Sequence, residues 1–177
     1  MVGMSVTVNF AGGSETIQWA ATGAASGAAI GTGWSISESG DTFGDNAWSA
    51  DFGTLSVTSF VLDGTPGLTL FDRTTPDPGT VGSANGKDWV SNLLSDADIE
   101  VEYSHVVGIG AAAPINDLFQ ILTVSFLDFE QGSVSGQFTF SQDTDNDSRI
   151  QIPEPAMLPL FGLGLAGIAI IARKRTA

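Results

Sequence analysis

The chain has 177 residues with 20 acidic and 6 basic side chains, a formal net charge of −14, and no cysteine. That length suits one domain with an appendage, and it can bury a core without covalent staples. Disulfide frameworks, thiolate metal sites and cysteine nucleophiles are excluded, a lone histidine excludes a multi-histidine metal site, and the acidity argues against nucleic acid as a partner.

In chain order, Ser5–Phe10 alternates polar and apolar residues and sets Val6, Val8 and Phe10 on one face. Residues 16–20 and 34–36 read as strands. Residues 54–63 place Leu55, Val57, Ser59 and Val61 on one side, and 68–71 form a short strand. Residues 99–103 alternate strictly, with Glu100 and Glu102 on the outer face. Residues 118–129 are long and apolar, and 134–140 end on Phe138 and Phe140. The period of two and the β-branched and aromatic content favour strands. Turn clusters at 11–14, 39–41, 63–67 and 131–133 separate them, with Asp63-Gly64 and Gln131-Gly132 as expected hairpin turns. The expected fold is all-β, an antiparallel, jelly-roll-like β-sandwich over residues 1–142. Three stretches fall outside that pattern. Residues 20–31 are rich in small residues and read as a loop, 74–87 as a long Pro/Gly/Asn loop, and 87–94 as one helical turn.

Several chemical patterns are better explained by structure. Gly108-Ile-Gly110-Ala-Ala-Ala113 copies a dinucleotide fingerprint, but Pro114 follows where a helix must open. His105 has no nucleophile elbow to serve. Glu100 with Glu102 invites a paired-carboxylate glycosidase reading, yet alternation on an exposed face accounts for them, as it does for Asp96 and Asp98. Asp143, Asp145 and Asp147 have the i, i+2, i+4 spacing of a calcium loop, but Ser148 occupies the place of the turn glycine. They are weak calcium candidates within an expected acidic linker, 143–152. Of the four tryptophans, Trp19 and Trp34 fall in strands. Trp48, beside Asp45 and Asn46, reads as a loop residue and the best exposed ligand contact. No catalytic group, resident metal or cofactor is expected.

The charges divide the chain. Residues 1–152 hold Arg73, Lys87 and Arg149 against 19 carboxylates, whereas the remainder holds Arg173, Lys174 and Arg175 against Glu154 alone. Residues 156–172 carry no charged or hydrogen-bonding side chain. As a helix they extend about 26 Å, near the lower limit for a transmembrane span. The basic cluster places the tail in the cytoplasm and residues 1–152 outside. Export needs an N-terminal leader, and residues 1–7 have neither a basic nor an apolar region, so the start is expected to lie upstream. The alternative is a tail-anchored protein facing the cytoplasm.

Directly before the apolar run stands Pro153-Glu154-Pro155. The tripeptide, the short apolar helix and the terminal basic cluster resemble the PEP-CTERM sorting signal of Gram-negative bacteria, over 153–177. The resemblance implies that an exosortase in the inner membrane recognises Pro153, Glu154 and Pro155, with Arg173, Lys174 and Arg175 as stop-transfer charges. Two prolines leave that segment extended for an enzyme to grip. The expected function is that of a non-enzymatic cell-surface or matrix protein. The alternative is a carbohydrate-binding module in exopolysaccharide or biofilm, assisted by calcium.

Overall fold

The computed structural model describes residues 1–74, 79–81, 83–93, 98–109, 113–127 and 132–147. Those residues form β1 (Ser5–Phe10), β2 (Gly13–Gln18), β3 (Ala20–Gly23), β4 (Ser26–Gly31), β5 (Trp34–Ser39), β6 (Trp48–Asp51) and β7 (Val57–Asp63). They continue through β8 (Thr69–Asp72), β9 (Val90–Ser91), β10 (Ile99–Val107), β11 (Leu118–Phe126), β12 (Gln137–Ser141) and β13 (Asp143–Asn146). One sheet runs β13-β8-β11-β7-β1-β2, with β10 on the other edge of β11, and the second runs β3-β4-β5-β6-β12-β9. Every strand pairing is antiparallel. The expected all-β, two-sheet architecture is therefore present.

The core lies between the sheets. Val6 and Val8 of β1, Phe60 and Leu62 of β7, and Leu122, Val124 and Phe126 of β11 meet Ile36, Trp48, Ala50, Phe138 and Phe140 of the second sheet. Phe140 joins the two: its ring lies 5.4 Å from Trp48, 6.0 Å from Phe60 and 4.2 Å from Trp89. Burying each such side chain contributes about 1.5–3 kcal/mol.

The alternation expected in β7 is corrected. Val57 is buried, but so are Phe60 and Leu62, while Ser59 and Val61 are only half-buried. The pairing with β1 shifts register between Asn9, opposite Ser59, and Phe10, opposite Val57. Thr58 is thus the extra residue of a bulge, and it switches the inward parity of everything after it. Asp63-Gly64 is not a hairpin turn either. β7 and β8 occupy successive stretches of one edge of β11, opposite Ile121–Ser125 and then Leu118 and Phe119. The link between them is a jog through a 3-10 turn, Thr65–Gly67, opened by Asp63 Oδ1 accepting from the Thr65 amide at 2.9 Å.

Residues 20–31 are strands rather than a loop, the β3–β4 hairpin. Their small side chains make room for tryptophans from outside the hairpin. A Cβ on Gly27 would stand 2.0 Å from Trp19 Nε1, and one on Gly31 would stand 2.2 Å from Trp34 Nε1. The helical turn expected at 87–94 is also replaced, by β9 on the edge of β12. Asn92 fixes that edge: its amide donates to Thr139 O at 3.0 Å, and its Oδ1 accepts from the Thr139 amide at 2.9 Å.

The chain changes sheets at Gln142, the single residue between β12 and β13. Its side chain is fully buried, and Nε2 donates to the carbonyls of Asp72, Lys87 and Asp143 at 3.1, 3.3 and 2.9 Å. Where the acidic linker was expected to begin, Asp143–Asn146 instead pairs with β8 as an edge strand. Residues 148–177 lie outside the described residues, and with them the expected transmembrane helix at 156–172. No helix among the described residues is long and apolar enough to cross a membrane.

Candidate functional site

At one end of the sandwich the sheets part around a cavity of about 360 Å³. β13 supplies one wall through Thr144, Asp145 and Asn146. The β3–β4 hairpin, Trp19 and Glu38 of β5 supply the other, and Asp41 and Thr42 complete the rim. The hairpin's glycines and alanines leave the space that larger side chains would fill. Glu38 enters it because β5 alternates: Trp34, Ile36 and Glu38 share the inward face. Glu38 is 4% exposed, and its Oε1 has no hydrogen-bond partner among the described residues. Burial pushes its pKa above the usual carboxylate value; the Met1 ammonium opposes that rise, and the charge of Asp41 adds to it.

The loop 40–47 is tied to β13. Thr42 Oγ1 donates to Asp143 Oδ1 at 2.9 Å, and the Thr144 amide donates to the same oxygen at 2.8 Å. Burial outweighs both bonds and raises the pKa of Asp143. Behind the cavity wall, Ser83 Oγ lies 2.7 Å from Asp145 Oδ2 and 2.7 Å from Asp72 Oδ2. Asp72 is 1% exposed. Burial pushes its pKa up to about 7; the Ser83 hydrogen bond opposes that rise, and Asp145, Asp143 and Asp117 add to it. Asp117 accepts from the Thr80 amide and from Thr80 Oγ1, each at 2.5 Å.

The two basic side chains of the described residues are held by other groups. Arg73 pairs with Asp88 at 2.8 Å, and Lys87 Nζ pairs with Asp45 and donates to Phe43 O at 3.1 Å. This end of the molecule concentrates carboxylates around a space that Met1 also lines, its ammonium acting on Glu38, and that is able to take a small polar group. Among the described residues, no three carboxylate or imidazole side chains are grouped so as to hold a metal ion.

Trp48 is corrected most sharply. It is a β6 core residue, fully buried, with Nε1 donating to Gln142 O at 2.9 Å, so it presents no surface to a ligand. Asp143 and Asp145 engage different partners, Thr42 and Ser83, and Asp147 follows β13 as a buried residue whose amide donates to Leu68 O. Glu100 and Glu102 are exposed on the edge strand β10. His105, on the same strand, is exposed and takes the left-handed φ of 58°. Pro153, Glu154, Pro155, Arg173, Lys174 and Arg175 lie outside the described residues. Sequence reasoning missed Glu38, Asp72, Ser83 and Gln142. Only Glu38 carried a local signal, an acid on the inward parity of Trp34 and Ile36.

No curated protein and no solved structure matches the chain. The family model described as the PEP-CTERM protein-sorting motif matches residues 151–175, which include the Pro-Glu-Pro tripeptide, the apolar run and the basic cluster. This chain accordingly carries a PEP-CTERM protein-sorting motif.

Proposed function

We propose that the protein is exported cargo of an exosortase, with a non-enzymatic β-sandwich delivered to the cell surface or extracellular matrix. The observation that carries this reading is the sorting motif at 151–175. In it, the apolar run 156–172 spans the inner membrane transiently, the basic cluster stays in the cytoplasm, and the exosortase grips Pro153, Glu154 and Pro155. The sandwich, without cysteines, stands outside the cell on its aromatic core alone. The test is to delete residues 153–155 and follow the protein's size and location in fractionated cells. Unprocessed protein retained in the inner membrane is the expected result. Processing and surface delivery unchanged by the deletion would refute the assignment.

A second reading, a carbohydrate-binding module in exopolysaccharide or biofilm, is favoured by one observation. The cavity between β13 and the β3–β5 strands holds Glu38, whose carboxylate oxygen has no partner among the described residues. Such a group favours a hydroxylated ligand that brings hydrogen-bond donors or an ammonium. Calorimetry against neutral and amino-sugar polysaccharides, with and without calcium, measures this. Binding that Glu38→Gln abolishes supports the reading, and no heat with any polysaccharide ends it.

A further inference from the structure

A serine hydroxyl carries one proton, and three acceptor atoms surround that of Ser83. Asp72 Oδ2 and Asp145 Oδ2 each lie 2.7 Å away, and the carbonyl oxygen of Ala84 lies at 3.1 Å. An ionised carboxylate only accepts. With both aspartates ionised, Ser83 has one proton for two carboxylates, and one of the 2.7 Å contacts sets lone pair against lone pair. Yet 2.7 Å is the ordinary length of an O–H···O bond. The arrangement needs one more proton.

Asp72 is the group placed to hold it. Its side chain is 1% exposed, and its Oδ1 has no partner among the described residues. Asp143 and Asp145 face it from β13, and Asp117 from the segment entering β11. On the loop side, Lys87 gives only its amide, to Asp72 O at 3.2 Å, while its Nζ is held by Asp45. The neighbouring Arg73 is held by Asp88. Gly86 closes the site against Asp72: a Cβ there would stand 2.4 Å from both Cγ and Oδ1. That closeness crowds Asp72 Oδ1, and among the described residues no three carboxylate or imidazole side chains are grouped to hold a metal ion.

We propose that Asp72, Ser83 and Asp145 form a proton-dependent latch that pins residues 83–87 onto β8 and β13. Asp72 Oδ2–H donates to Ser83 Oγ, and Ser83 Oγ–H donates to Asp145 Oδ2. Every short contact then has its hydrogen, and the oxygen left over on Asp72 belongs to a neutral carboxyl. Loss of the proton leaves a buried carboxylate opposite Asp145, and the loop is released. Asp145 also lines the cavity, so the latch links ambient pH to the cavity wall. It does not depend on the sorting reading.

The sign follows from the raised pKa of Asp72, about 7 in the folded chain. The folded state holds a proton that the unfolded chain has already lost, so stability falls as pH rises from the ordinary carboxylate range to about 7, then levels. The test uses the full chain in detergent micelles with ¹³C-labelled aspartate, titrated from pH 4 to 9. One carboxyl signal is expected to titrate with a midpoint about 7, to vanish in Asp72→Asn, and to shift to a lower midpoint in Asp145→Asn. The wild-type and Asp145→Asn curves decide the matter even if Asp72→Asn does not fold. Protection of the Lys87 amide, corrected for base catalysis of exchange, should drop across the same range. A wild-type chain with no aspartate titrating above pH 6 would overturn the latch. So would calcium restoring amide protection at pH 8, which would make the site one for a divalent cation.

Discussion

The middle of the sandwich and its acidic end each hold side chains shut off from solvent, and burial acts in opposite directions on the two. In the middle, Phe52 lies 6.2 Å from Phe60, 6.3 Å from Phe126 and 5.7 Å from Phe138, ring centre to ring centre, at tilted or edge-on angles. Nothing there needs water, and each ring removed from solvent stabilises the fold. At the end, Asp72 and Glu38 are as inaccessible as those rings, but each holds a carboxylate oxygen without a partner among the described residues. Burial there penalises the ionised form and is offset only by hydrogen bonds and proton uptake. Gln142 stands where the regions meet. Trp48 donates to its backbone carbonyl, Tyr103 OH pairs with its side-chain oxygen, and its amide nitrogen reaches the carbonyl of Asp72.

The largest expected effect tests the dry side of that contrast. Phe52→Ala removes a fully buried ring from among three others and should cost about 3–5 kcal/mol in denaturant unfolding. A loss under about 1 kcal/mol would mean that the middle is not close-packed, and the contrast would fail. Gln142→Leu comes next. It keeps the volume but takes the amide donor from three carbonyls and the acceptor from Tyr103. Each buried group left without a partner costs about 1–3 kcal/mol. A neutral result would show that water replaces the amide and that the boundary is wet. Gly27→Ala should cost about 1–3 kcal/mol, since its Cβ would meet Trp19 Nε1 at 2.0 Å. Trp19→Phe in the same chain should return part of that loss by withdrawing the obstructing atom, whereas additive losses would place the strain elsewhere.

The contrast also explains what was legible in the sequence. The strands of the middle carry their signal within themselves: β1 alternates, and Val6 and Val8 face inward as read. The reading failed in β7, where a bulge set by pairing with β1 moved Phe60 and Leu62 inward. It failed at the β3–β4 hairpin because the bulk filling that part of the core comes from Trp19 and Trp34, leaving no apolar period in the hairpin. Trp48 looked exposed because Asp45 and Asn46 precede it, while its stacking partner Phe140 is brought by a strand far away in the chain. The acidic cluster was illegible for the same reason, since Asp72, Ser83 and Asp145 meet only through the pairing of β13 with β8. The sorting motif is contiguous, needs no tertiary contact to be recognised, and was read in full.

The smallest expected effect sharpens the comparison from the opposite edge of the molecule. Glu15 on β2 ties the first sheet to the turn between β4 and β5. Its Oε2 accepts from the Thr32 amide at 2.8 Å and from Trp34 Nε1 at 2.7 Å, and its Oε1 accepts from Thr32 Oγ1 at 3.2 Å. These donors, the Thr32 amide first and Trp34 second, favour the charged form and hold the pKa of Glu15 below its usual value. Stability from Glu15 is therefore present above the ordinary carboxylate range and lost as pH falls through the depressed pKa, the reverse of Asp72. The group faces solvent, so the contribution is small and screened by salt. Glu15→Gln should melt slightly below wild type from pH 6 to 8, and the gap should narrow as pH falls below the ordinary carboxylate range. A gap that does not change with pH would mean that Glu15 acts by packing. Asp72→Asn should show the other profile, little different from wild type in acid and more stable than it above pH 7. Two carboxylates in one sandwich would then respond to the same titration with opposite signs, because donors surround one, while burial first and neighbouring carboxylates second penalise the charge of the other.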